Sequence, residues 1–146
     1  MSLTNEAAVT EATRQVATTW FNAVTSGDFE LAVSLLDENV EWVNYTPVPG
    51  FNDAMPWIGT RRGPADVVDS LRIFTGLVDV EFEELVDLTV DGDSAMGIIH
   101  ERSTVKETGR VFEIEFVQYL KVRDGQIVFW KSYTDPSQIL RALPGR

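Results

Sequence analysis

The 146-residue chain has no cysteine and a single histidine. A disulfide framework is thereby excluded, and so are the Cys/His spacings of structural zinc sites. Basic residues are also scarce: 12 Lys plus Arg against 23 Asp plus Glu leave a net charge of -11. Such a field repels phosphate backbones and anionic lipid alike, so neither nucleic acid nor membrane is an expected partner. No stretch approaches the ~18 apolar residues of a membrane span. The opening MSLTNEAAVTEATRQ lacks a basic region followed by an apolar run, so a cytoplasmic location is expected. There is no G-x-S-x-G and no glycine-rich phosphate loop, and Asp53, Asp66 and Asp69 lack metal-loop spacing. No cofactor and no metal are therefore expected. The length suits one domain over residues 1–146.

What is present divides into a helical first half and a β-rich second half. Apolar or small residues at 12, 13, 16, 17, 20, 21 and 24 lie on one face of a helix. Ser26-Gly27-Asp28 ends it and can cap a short helix through FELAVSLL. VEWVNYTP reads as a strand. Residues 47–63 hold three prolines and three glycines around Phe51, Met55, Trp57 and Ile58, a long apolar loop of the kind that forms a lid. Gly63-Pro64 then opens a third amphipathic helix that ends at Gly76.

Beyond it, Val78, Val80 and Phe82 alternate with acids, the phase slips near Glu83-Glu84-Leu85, and Val86, Leu88 and Val90 resume the pattern. That interruption predicts a β-bulge and a bent strand. Asp91-Gly92, Asp124-Gly125 and the polar KETGR mark turns of a four-strand meander, and PSQILRAL can close the chain with a helical turn. The expected fold is α+β, with helices on one face of a curved sheet whose open end is a natural small-molecule pocket.

The order of elements and the segments WFNAVTSGDFELAVSLLDENVEW, GPADVV and DGQIVFWKSYTD resemble the nuclear-transport-factor-2-like superfamily. The nearest branch is that of SnoaL-like polyketide cyclases, ketosteroid isomerase and limonene epoxide hydrolase. The resemblance implies a cone-shaped antiparallel sheet wrapped around the N-terminal helices and a homodimer formed through the outer sheet face. It does not fix a reaction, because one fold hosts many.

Matched to the ketosteroid isomerases, Trp20 falls at the phenol of the oxyanion hole, Gln118 at its acid, and Asn44 or Tyr45 at the base. None of these is a carboxylate base. Matched to the epoxide hydrolases, HERST supplies Arg102, but Thr104 and Ser132 stand where the two aspartates belong. Both well-defined reactions have lost their acids.

The resemblance makes the face shared by His100, Arg102 and Thr104 the cavity wall. There Arg102 would bind an anionic or carbonyl oxygen, with His100 as proton carrier. The competing reading pairs Arg102 with Glu81, Glu83 or Glu84 and makes His100 a satisfied structural residue. Tyr45, Gln118, Thr104 and Ser132 are candidate polar ligand contacts. Trp42, Trp57 and Trp130 are candidate contact surface, and Trp20 serves as wall or core. Glu113 and Glu115 are expected outside.

The expected activity is binding of a small apolar ligand with a carbonyl or anionic oxygen, with isomerase, cyclase or lyase chemistry by proton transfer. The alternative is a non-catalytic binding or dimeric assembly protein on the same fold.

Overall fold

The computed structural model describes residues 3–145. The chain runs α1 (Leu3–Ser26), α2 (Phe29–Ser34), β1 (Leu36–Asn44), β2 (Gly59–Arg62), α3 (Pro64–Leu77), β3 (Val78–Asp91), β4 (Ser94–Val105), β5 (Val111–Arg123), β6 (Gln126–Tyr133) and α4 (Ser137–Ala142). Among the described residues, no helix is long and apolar enough to cross a membrane.

The predicted apolar face of α1 is the buried one, with Thr13, Ala17, Trp20 and Phe21 inside. The helix extends well ahead of Ala12, where its residues are mostly exposed and leave no periodic pattern to read. Gly27 takes the left-handed conformation at φ 79°, and Asp28 caps α2 by accepting from the Leu31 N–H at 3.2 Å.

The six strands form one curved, open sheet in the order β2-β1-β6-β5-β4-β3. Strands β3 to β6 make the expected meander, and β1 joins β6 as a parallel neighbour. The sheet approaches α1 closely at one glycine of β4. Gly97 of β4 faces the Phe21 ring so closely that a β-carbon there would overlap it. Any side chain at 97 would push the helix off the concave face.

The long loop is not a loose flap. Asn52 organises it by accepting from Val48 N–H at 2.7 Å and donating to the Thr46 carbonyl at 3.0 Å. Met55 and Trp57 are buried with Ile139 and Leu140 of α4 in a second apolar cluster, and Ser70 of α3 donates to the Trp57 carbonyl at 2.7 Å. The expected lid is a packed plug, because its apolar side chains find partners on α3 and α4 rather than on a ligand alone. Its last residues become β2, paired with β1.

Strand β3 contains two irregularities where the sequence suggests one. Its pairing with β4 shifts between Val80 and Phe82 and again between Leu85 and Asp87. Each inserted residue reverses the alternation. Val80, Glu83 and Leu85 are partly buried, whereas Phe82 and Val86 are exposed. On β4 the buried set is Ala95, Gly97, Ile99, Glu101, Ser103 and Val105.

Candidate functional site

The concave side of the sheet holds a cavity of about 120 Å³ between the strands and α1, α2 and α3. An apolar cavity of about 150 Å³ takes a benzene ring. The enclosed space is of single-ring size.

Trp20, Trp42, Trp57 and Trp130 all line this cavity. Trp42 and Trp130 are register partners on the parallel strands β1 and β6, and their rings stack 3.5 Å apart at 7°. Trp20 meets Trp42 edge-on at 5.9 Å. The indole N–H of Trp42 has no acceptor among the described residues, so ring packing rather than a hydrogen bond holds it. Trp57 projects from the plug loop and meets Phe74 of α3 edge-on at 5.1 Å.

Gln118 of β5 is fixed by two of these indoles. Trp20 Nε1 donates to its Oε1 at 2.8 Å and Trp130 Nε1 at 3.1 Å. An indole nitrogen can only donate, so the atom between the rings must be the amide oxygen. The amide nitrogen is left without an acceptor among the described residues. Ser132 is the register partner of both Gln118 and Asn44, and all three line the cavity as a polar band across β5, β6 and β1.

Tyr45 follows directly after β1 with φ 55°, a left-handed backbone that costs a tyrosine about 1–3 kcal/mol. Burial pushes its phenol up to about 12, so it remains an O–H donor at any physiological pH.

His100, Arg102 and Thr104 do not line the cavity. The burial alternation of β4 places them on the convex face, one residue out of phase with the expected assignment. Arg102 Nε meets Glu81 at 2.8 Å and its Nη1 meets Glu113 at 3.1 Å, while Thr104 donates to Glu81 at 2.8 Å. His100 sits between Glu113 at 2.7 Å and Glu84 at 3.2 Å. The hydrogen bond to Glu113 raises the His100 pKa, and those to Thr104 and Arg102 lower that of Glu81. These residues form a surface ion-pair network, as the competing reading of Arg102 anticipates.

In their place the cavity wall carries two glutamates. Glu83 of β3 and Glu101 of β4 are direct cross-strand partners, and both line the cavity. Side chains at such positions have β-carbons about 4.5–5.5 Å apart. Among the described residues, no Lys, Arg or His lines the cavity beside them. Burial pushes the Glu83 carboxyl up to about 8 and Glu101 up to about 6, and the charge on Glu101 adds to the rise on Glu83. Near neutral pH one carboxyl is therefore ionised and its neighbour holds a proton, the arrangement that general acid–base chemistry requires. Glu83 was hidden from sequence reading by the first bulge. Glu101 was legible in principle, because its parity on β4 is that of Ala95, Gly97, Ile99 and Val105.

No group of three or more His, Asp or Glu able to hold a metal ion occurs among the described residues.

Comparison with solved structures shows the same fold repeatedly. An NTF2-like protein from Burkholderia xenovorans LB400 is 24% identical with a TM-score of 0.75, over 91% of this chain and 96% of that one. TerC, crystallised with polyporic acid, is 19% identical with a TM-score of 0.73, over 90% and 97%. A Catenulispora acidiphila protein with a ketosteroid isomerase-like fold, in complex with trimethylamine, is 16% identical with a TM-score of 0.70, over 87% and 90%. No curated protein matches the chain. The family model for the SnoaL-like domain matches residues 17–130. That span contains β1 to β5, the first part of β6 and the carboxyl pair, and the chain belongs to the SnoaL-like domain family.

Proposed function

We propose that this protein catalyses proton transfer at a carbon next to the carbonyl of a small, uncharged, mostly apolar ligand, as an isomerase, cyclase or lyase. The observation that carries the reading is the Glu83–Glu101 pair, Glu101 buried and Glu83 partly buried, in a tryptophan-lined cavity with no cation beside it among the described residues. Glu101, as carboxylate, takes the proton from carbon. The resulting enolate oxygen is held by donors available in the wall, among them the Tyr45 hydroxyl, the Gln118 amide and the protonated Glu83 carboxyl. Return of the proton from Glu101 to a second carbon completes an isomerisation. Loss of a β-substituent, or attack of the enolate on an electrophile, gives the lyase or cyclase outcome.

The ligand is read as uncharged because a carboxylate or phosphate would meet only like charge. This revises the expectation of an anionic ligand held by Arg102. The related folds accommodate ligands as unlike as polyporic acid in TerC and trimethylamine in the Catenulispora protein. Wall chemistry, not fold, therefore decides. The convex sheet face, with Phe82, Met96 and Tyr133 exposed, is proposed as the surface of a homodimer.

The test is deuterium incorporation from D₂O into a panel of single-ring and short-chain ketones, followed by NMR. Wild type should exchange the hydrogens next to the carbonyl of at least one panel member, and Glu101→Gln should not. Binding of panel members with no exchange above the buffer rate would favour the non-catalytic binding protein instead.

A further inference from the structure

The two carboxyls of the pair are not equivalent. Ser103, two residues along β4, donates from Oγ to Glu101 Oε2 at 2.8 Å, and this bond is buried, with Ser103 at 0% and Glu101 at 5% exposure. Glu83 receives no such bond from any described residue. The surroundings of Ser103 offer its hydroxyl nothing else: its register partners are Val80 on β3 and Phe112 on β5, both apolar. Ser103 is also absent from the cavity wall, so it touches Glu101 and not the ligand. A hydroxyl in an apolar setting costs stability unless it is used, and alanine would suit the packing as well.

We propose that Ser103 is a positioning residue that decides which member of the pair is the base, by stabilising the ionised form of Glu101 and leaving the shared proton on Glu83. The inference rests on reading the pair as the proton-transfer machinery, and it names the group that breaks the pair's symmetry. The other groups facing Glu101 cannot do so. Glu83 from β3 is itself acidic, and Ser103 is the only side chain among the described residues that donates a hydrogen bond to Glu101, Tyr45 beyond β1 making none. Strand β5 presents Ile114 opposite Glu101, and α3 and α4 contribute Phe74, Thr75 and Ile139 to the wall. Arg102, His100, Glu81 and Glu113 lie on the other face of the sheet and are tied to one another.

The pair can be titrated without any ligand, by the side-chain carboxyl ¹³C shifts of wild type, Ser103→Ala and Ser103→Thr. Wild type should give two separated steps, with Glu101 ionising first. In Ser103→Ala the Glu101 step should rise by about one pH unit or more, since a buried hydrogen bond to a charged group is lost. Ser103→Thr, which keeps the hydroxyl, should hold the Glu101 step near its wild-type position. With a turned-over ketone, the acid limb of the Ser103→Ala rate profile should move up with it, with KM little changed.

An unmoved Glu101 step in Ser103→Ala, or Glu83 ionising first in wild type, overturns the proposal. The two readings fail separately. Titrations that move as expected while Glu101→Gln still exchanges deuterium would keep the role of Ser103 and reject the catalytic reading. Unmoved titrations with exchange abolished in Glu101→Gln would do the reverse.

Discussion

The two faces of the β3–β4 hairpin carry the same residue type and give it opposite properties. On the convex face Glu81 and Glu113 meet Arg102, Thr104 and His100, and these hydrogen bonds hold both carboxyls below the ordinary range. On the concave face, two positions from Glu81, Glu83 faces Glu101 with no cation in the wall, and burial drives both carboxyls up. The sheet has in effect sorted its charges. Every basic group on β4 is engaged outside, so of the two acids that turn inward one must hold a proton for the pair to be tolerated there. What distinguishes a reactive glutamate from a solvated one here is not sequence neighbourhood but the face it occupies and the partners it is denied.

The comparison is broken most severely by neutralising the concave pair. Glu101→Gln keeps the volume and an acceptor for Ser103 but cannot take a proton, so deuterium exchange should fall by 10²-fold or more, roughly the contribution of a positioned general base. An exchange rate within a few-fold of wild type would remove Glu101 from the mechanism.

Glu83→Gln should show next, as stability. The folded value of Glu83, about 8, lies above its unfolded value of 4.5. The folded protein therefore binds this proton more tightly, and the stability that follows is fully present below pH 4.5 and lost as pH rises through 8. Glu101 acts in the same direction between 4.5 and about 6. Replacing Glu83 with glutamine removes the larger loss. The variant should be more stable than wild type at pH 9 by something on the order of 3 kcal/mol, a rise in Tm of roughly 5–10 °C by calorimetry. Equal melting of the two proteins at pH 9 would mean that Glu83 is not withdrawn from water.

Much of this layout was legible in the sequence. The 3.6-residue periodicity of α1, the Asp28 cap, the Asp-Gly turns and the meander were readable because each depends on short-range chemistry. The four tryptophans, Tyr45, Gln118 and Ser132 line the cavity, and for Trp42, Gln118, Trp130 and Ser132 strand parity and resemblance point to the same face. Among the candidate site residues, those that the cavity leaves out, His100, Arg102 and Thr104, all lie on β4.

A bulge is a two-against-one mismatch between strands, so its position depends on the partner strand and not on the bulged strand's own pattern. The sequence places one slip near Glu83–Leu85, and the structure has slips on either side of it. On β4 the outward set includes Met96 and Ile98 and the inward set includes Glu101 and Ser103, so hydrophobicity points to neither face. The parity that decides is set by Gly97 against Phe21, a contact between residues 76 apart.

The smallest expected effect sharpens the comparison from the convex side. Glu113 accepts from both His100 and Arg102, and its bond to His100 is the largest cause of the raised histidine pKa. In Glu113→Gln the His100 titration, followed by ring proton NMR, should fall back toward 6.5, its ordinary value. The sign follows from linkage. A histidine raised in the folded state adds stability that is fully present below its unfolded value and lost as pH climbs through its folded one. The variant should therefore lose a little more stability at pH 5–6 than at pH 8.5, where only the Arg102–Glu113 pair is lost. Because these groups are exposed, screening keeps the change small and makes it smaller still in salt. The carboxyl steps of Glu83 and Glu101 and the exchange rate should stay at wild-type values, as they should in Arg102→Ala. If either convex substitution moves the concave titration, the hairpin is one coupled electrostatic unit, and the charge network on the outer face belongs to the site after all.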